Sequence, residues 1–120
     1  MARFLFVYRS DKDTRETMSP EEMQQIHQKW QAWIAEGVQK GWLLDAGNGL
    51  KTEGRVVNAK RVVTDGPFVE AKDVVGGYSL VQADTLDAAA EFAKGCPILL
   101  RGGTVEVRPI WEEVRVTPGK

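Results

Sequence analysis

The chain of 120 residues is one domain's worth of sequence, and its 42% hydrophobic and 28% charged residues are the proportions of a water-compatible globular protein. Lys plus Arg is 16 and Asp plus Glu is 17, a net charge of −1 that argues against a dedicated nucleic-acid binder, which needs a basic surface to displace counterions. The single cysteine excludes an internal disulfide framework and a cysteine cluster for zinc. No apolar run approaches the roughly 20 residues that span a bilayer, and the short apolar start lacks a small-residue cleavage site. A cytoplasmic location away from membranes is expected.

Residues 3–8 are aromatic and β-branched and read as a strand, with Leu5 and Val7 on one face and Phe4, Phe6 and Tyr8 on the other. Both faces are apolar, so both want cover. Residues 10–19 are polar and read as a loop. Ser19-Pro20-Glu21-Glu22 then starts a helix: Ser19 caps, Pro20 suits the first position and Glu22 has capping-box spacing. On a wheel of about 100° per residue, Met23, Ile26, Trp30, Trp33, Ile34 and Val38 fall within an arc of about 140°. The helix is expected over residues 20–40, stopped by Gly41, with Gly37 on the apolar face allowing close approach to a sheet.

A second strand is expected over residues 42–47, running into the turn Gly47-Asn48-Gly49. Arg55-Val56-Val57 and Arg61-Val62-Val63-Thr64 flank Asn58-Ala59-Lys60 as a small hairpin. Gly66-Pro67 cannot continue a strand, because proline lacks the N–H that a ladder needs. Strand character resumes over residues 74–82, with Gly76-Gly77 marking a bulge or a close contact. Asp84 and Thr85 compete to cap a helix over residues 86–94, ended by Gly95 and Pro97. Residues 98–103 connect to a last strand over 104–110, where Pro109 suggests an edge or a strand end. The domain is placed at residues 1–112, with a frayed tail over 113–120.

Without the hairpin the order is βαββαβ, a ferredoxin-like α+β arrangement with an antiparallel sheet carrying both helices on one face. The first strand is apolar on both sides, so the uncovered face is expected to meet a second copy of the chain. A homodimer follows.

Asp65-Gly66-Pro67-Phe68-Val69-Glu70-Ala71-Lys72-Asp73, followed by Gly76-Gly77-Tyr78, resembles the DGPF signature of the YCII-related (DGPFAETKE) family. Glu106-Val107-Arg108-Pro109 resembles that family's closing strand, and the likeness runs over about residues 3–110. Val69 stands where the signature has alanine, and Ala71 and Asp73 where it has threonine and glutamate. The resemblance implies a dimeric α/β barrel, two ferredoxin-like sheets packed face to face. It also implies a His–Asp pair, which His27 and Asp65 would imitate, and in some bacteria an association with sigma-factor-linked transcription control. The fold by itself decides none of these activities.

Candidate chemistry is sparse. His27 is the only histidine and lies between Ile34 and Val38 on the wheel. Imidazole suits general acid or base work near neutral pH, although the more ordinary role is an imidazole at the core's edge bonded to backbone. Asp65 either accepts bonds from the N–H groups of its own turn or projects into a cleft as a base, held by Gly66 and Pro67. Glu70, with Lys72 and Asp73, is a candidate ligand contact or a solvated loop charge. Tyr78 either offers its phenol to a pocket or packs in the core with its hydroxyl at the rim. Glu106 and Arg108 share a strand face, as a structural or interface ion pair or with Arg108 clamping a ligand carboxylate. Cys96 reads as a small buried hydrophobe, and Trp30, Trp33 and Trp42 as core. One His and one Cys leave only carboxylates for a metal, and Gly47-Asn48-Gly49 lacks dinucleotide-loop spacing, so no metal and no cofactor are expected. The expected activity is acid/base chemistry on a small organic molecule in a helix–sheet cleft. The alternative is a non-catalytic binding or regulatory dimer.

Overall fold

The computed structural model describes residues 1–11, 17–66 and 73–112. The chain runs β1 (Ala2–Ser10), α1 (Pro20–Lys40), β2 (Leu43–Asp45), β3 (Arg55–Val57), β4 (Val63–Asp65), β5 (Val74–Ala83), α2 (Leu86–Ala93), a 3₁₀ turn (Pro97–Arg101) and β6 (Thr104–Pro109). A four-stranded antiparallel sheet has the order β2-β5-β1-β6, and β3 and β4 pair only with each other. With the hairpin set aside this is the βαββαβ arrangement, an α+β ferredoxin-like fold with two helices packed on an open sheet. Among the described residues the sheet does not close into a barrel.

α1 forms for the local reasons its sequence carries. Ser19 Oγ accepts from Glu22 N at 3.1 Å, and Glu22 Oε1 accepts from Ser19 N at 3.3 Å, which completes the capping box. Gly41 closes the helix at φ 83°, a left-handed conformation that glycine adopts without the Cβ clash. Gly37 is buried, and a Cβ there would meet Leu43 Cβ at 2.9 Å and the Trp42 ring at 2.9 Å. The missing side chain thus lets α1 lie directly on the start of β2. The buried stripe is narrower than the apolar arc: Trp33 is buried, Trp30 and Ile34 pack partly against the core, while Met23 and Val38 are exposed. Burial falls on the side of the arc that holds Trp33 and Gly37.

Strand alternation sorts β1 as its sequence suggests. Phe4, Phe6 and Tyr8 are buried beneath the helices, and Leu5 and Val7 are half-buried on the other face. Phe6 is fully buried, with its ring 6.3 Å from that of Trp33 and 6.4 Å from that of Trp42, which stacks in turn on Phe92 at 4.8 Å. Trp33 of α1 and Trp42, the residue before β2, therefore form the core with Phe6, and Trp30 packs partly buried against them. On the open face, Leu5 pairs across the ladders with Leu80 and Arg108, and Val7 with Tyr78 and Glu106.

Boundaries shift where side chains take backbone roles. Thr85 wins the competition to cap α2, its side chain accepting from Ala88 N at 3.0 Å. The expected three-residue hairpin loop is instead five residues, since Val57 faces Val63. Asn58 Oδ1 accepts from Lys60 N and Val62 N, and Arg61 takes φ 66°, so Arg61 and Val62 leave the strand to complete the turn. β6 is an edge strand ending at Pro109, where the missing N–H costs no ladder bond. The tail over 113–120 lies outside the described residues.

Candidate functional site

A cavity of about 390 Å³ opens between α1 and the end of the sheet where β1 leaves it. That volume lies within the usual span for small-molecule sites. Its helix wall is Ile26, His27, Trp30, Gln31 and Ile34, residues spaced by three and four that form one strip of α1. Gly76 and Gly77 of β5 and the segment Ala46, Gly47, Asn48 and Gly49 form the opposite side, with Tyr8 between. Pro97, Ile98 and Arg101 of the 3₁₀ turn close one end, and Ser10 and Met18 complete the rim.

Two glycines shape the floor. Gly47 has φ 71°, and a Cβ there would run into the Tyr78 carbonyl oxygen. At Gly77 a Cβ would meet the Asn48 carbonyl oxygen at 2.9 Å. The loop after β2 therefore lies flat on β5, tied by Tyr78 N donating to Asn48 O at 3.3 Å and Leu50 N donating to Gly76 O at 2.8 Å. The close contact expected at Gly76-Gly77 is this one.

The polar groups of the wall divide into engaged and available chemistry. Tyr8 Oη donates to Ser79 Oγ at 2.7 Å, and Ser79 Oγ donates to Ala46 O at 2.7 Å, a buried chain that pins the loop to the sheet. Burial pushes the Tyr8 phenol well above its ordinary value, so it stays protonated and serves as a donor. Arg101 Nη1 meets Glu22 Oε2 at 2.9 Å and ties the 3₁₀ turn to the first turn of α1. The Glu22 carboxyl is held below the usual carboxylate range, first by the Ser19 backbone N–H of the capping box and then by Arg101. His27 is exposed on the helix strip and stands on the wall. Among the described residues no cluster of His, Cys, Asp and Glu fit for a metal ion occurs.

The structure brings His27 and Tyr78 to this cavity, Tyr78 in a particular way. As Val7's register partner its side chain belongs to the open face of the sheet, where its hydroxyl accepts from Asn48 Nδ2 at 3.1 Å. Asp65 is not among the lining residues. It ends β4, its side chain is 96% exposed, and Oδ1 lies 3.5 Å from Arg55 Nη1 across the hairpin. Arg108 also stands off the cavity wall. Its Nη1 meets Glu106 Oε2 at 3.0 Å, and Glu106 Oε1 accepts from Arg9 Nε at 3.0 Å. These contacts hold the Glu106 carboxyl below its ordinary value, Arg108 contributing most. Glu70 lies outside the described residues, with positions 67–72.

Sequence reasoning passed over Arg101, Asn48 and Trp30 as site residues. The available signal was the mixed strip His27, Trp30, Gln31 and Ile34 at the boundary of the apolar arc, which period alone does not tell from an ordinary helix flank. Cys96 is buried, and burial pushes its thiol up to about 12, which keeps it out of nucleophilic chemistry.

A model of the YCII-related domain matches residues 3–114. The chain belongs to the YCII-related family. The solved structure of 5-chloro-2-hydroxyhydroquinone dehydrochlorinase (TftG) from Burkholderia phenoliruptrix AC1100, in complex with 2,5-dihydroxybenzoquinone, is similar at 19% identity. That similarity covers 91% of this chain and 93% of that one, with a TM-score of 0.39. Comparison with curated proteins gives no match. Among the described residues no helix is long and apolar enough to cross a membrane.

Proposed function

We propose that this YCII-related protein is a small enzyme that performs proton transfer on a small organic molecule held in the helix–sheet cavity, with His27 as the acid/base group. The observation that carries the reading is the placement of the chain's only histidine on the wall of a largely apolar cavity of about 390 Å³. Imidazole is the side chain suited to exchange protons near neutral pH. Tyr8 is a protonated donor bound to Ser79, so the buried phenol does not compete for the role of base. Trp30, Ile34 and Ile98 supply apolar surface to exclude water from the reacting atoms. Asp65 has no part in this reading, because its carboxylate pairs with Arg55 on the hairpin and does not line the cavity.

The proposal includes a homodimer built on the open sheet face. Leu5, Val7 and Leu80 form adjoining apolar positions there, and both helices lie on the opposite face. Light scattering at micromolar protein is expected to report about twice the chain mass, and a clean monomer would remove the dimer from the proposal.

The catalytic reading is tested by screening small organic molecules for binding and turnover with the wild type and His27→Gln. Binding is expected to survive the substitution while turnover falls by about 10²–10⁴-fold, the usual worth of a positioned acid or base. Equal turnover by both proteins would end the role of His27. Binding without turnover by the wild type would leave a ligand-binding protein.

A further inference from the structure

We propose that Arg101 is the specificity residue of this cavity and that the molecule it selects is a small organic acid, an apolar body bearing one carboxylate. The inference rests on reading the helix–sheet cavity as the ligand site. Among the described lining residues Arg101 is the only Lys or Arg, and none is Asp or Glu. The apolar part of the wall, with Ile26, Trp30, Ile34 and Ile98, suits a hydrocarbon body, and the one guanidinium at its end suits an anionic group.

Arg101 is placed firmly. It is the last residue of the 3₁₀ turn, and Gly102 at φ 80° turns the chain away immediately after it. Its side chain is about one-third exposed, so a charge-assisted bond there is less screened than on open surface. A guanidinium carries five donors in a planar fork that matches a carboxylate, and the contact with Glu22 engages Nη1.

Glu22 acts as the internal substitute for the ligand. Its Oε1 is bound to the helix cap through Ser19 N, which holds its Oε2 against Arg101 at 2.9 Å. An incoming carboxylate exchanges one carboxylate–guanidinium contact for another, and Glu22 keeps its capping bond when released. A neutral amide of the same shape offers Arg101 one carbonyl acceptor and no charge, a weaker exchange for Glu22. Discrimination by charge follows from that asymmetry.

The test uses the full chain and the isosteric probes benzoate and benzamide, read by tryptophan fluorescence and by amide shifts of residues around Trp30. Benzoate is expected to bind at least about 10-fold more tightly than benzamide at low salt, with the difference lost in Arg101→Gln. Glu22→Gln keeps the capping-box geometry and removes the competing charge, so it is expected to tighten benzoate binding several-fold. A purely structural Glu22–Arg101 tie predicts the opposite direction. Equal binding of the two probes by the wild type overturns the acid assignment and leaves the cavity reading standing. Absence of binding by both overturns the two together. If Arg101→Gln does not fold, Glu22→Gln decides alone, and unchanged benzoate affinity overturns the proposal.

Discussion

The four-stranded sheet and the β3–β4 hairpin are built by the same local rules and held by different forces. In the sheet, Phe6 and Val81 are sealed from solvent, Phe6 against Trp33 and Trp42, and Ala89 of α2 is sealed with them. In the hairpin, Val57, Val62 and Val63 are each more than half exposed, and the strands pair only with each other. Hairpin order comes from the Asn58 turn, the ladder from Val57–Val63 to Arg55–Asp65, and Gly66 N donating to Gly54 O. A two-stranded hairpin is marginal by itself in water. Burial carries the sheet, and local hydrogen bonding carries the arm. The Asp65-Gly66-Pro67-Phe68 stretch begins on the arm, whereas the cavity is walled by the body.

The largest expected effect separates these regions directly. Phe6→Ala removes a fully enclosed ring and is expected to cost about 3–5 kcal/mol in urea unfolding, the range for large aromatic truncations. Val63→Ala in the hairpin should stay within about 0.5 kcal/mol, as exposed positions do. A Val63→Ala cost approaching that of Phe6→Ala would break the comparison and show that the arm is covered in solution.

Next in size is the polar chain beneath the cavity loop. Ser79→Ala deletes the group that accepts from the Tyr8 hydroxyl and that donates to Ala46 O. An abandoned buried hydroxyl costs about 1–3 kcal/mol. Adding Tyr8→Phe should recover part of that loss, because the orphaned donor disappears with it. Additive losses in the double variant would sink the coupling between the sheet and the loop after β2.

These contrasts explain what was legible in the sequence. The capped helix over residues 20–40, the alternation of β1, the close approach at Gly37 and the edge position of Pro109 follow from local chemistry, and each appears as expected. The hairpin register was misread because Arg61 adopts a positive φ that its side chain does not advertise, and Asn58 organises two N–H groups at once. The cavity was the harder problem. It joins a strip of α1 to a loop after β2 and to a 3₁₀ turn near residue 100, and such convergence comes from strand order. Trp30 reads as core because an aromatic on an apolar arc is indistinguishable, by period alone, from one at a cavity wall. Arg101 carries no motif at all. Asp65 drew notice through its Gly-Pro neighbours, which signal a turn as readily as a site.

Acid titration probes the surface ties that join elements. Glu22 and Glu106 both have folded-state values below the ordinary 4.5, the first through Ser19 and Arg101, the second through Arg108 and Arg9. A depressed carboxyl stabilises the folded chain above its unfolded value and loses that contribution as pH falls through the folded value. Thermal stability is therefore expected to be level near neutrality and to decline below about pH 4.5, the unfolded chain taking up protons first. Glu106→Gln should flatten part of that decline without altering probe binding in the cavity. Glu22→Gln should flatten it and change binding as well. A decline unaffected by both substitutions would place the acid-sensitive contacts elsewhere.

The smallest expected effect belongs to Asp65, the first residue of the Asp-Gly-Pro-Phe stretch. Asp65→Asn preserves shape and hydrogen-bonding capacity while removing the charge that faces Arg55 at 3.5 Å. The side chain is 96% exposed, so water solvates it almost fully and the pair is screened by salt. The urea midpoint is expected to be unchanged within error, and benzoate binding and any turnover should equal the wild type. The result distinguishes an arm that is only an arm from one that reaches a second site. In a single chain Asp65 is no part of the cavity wall, so a loss of binding or turnover would require its delivery from another copy. Should Asp65→Asn lose turnover instead, mixing it with His27→Gln chains separates the cases: recovered turnover in the mixture would mean that the two residues meet across subunits, and no recovery would mean that they act within one chain.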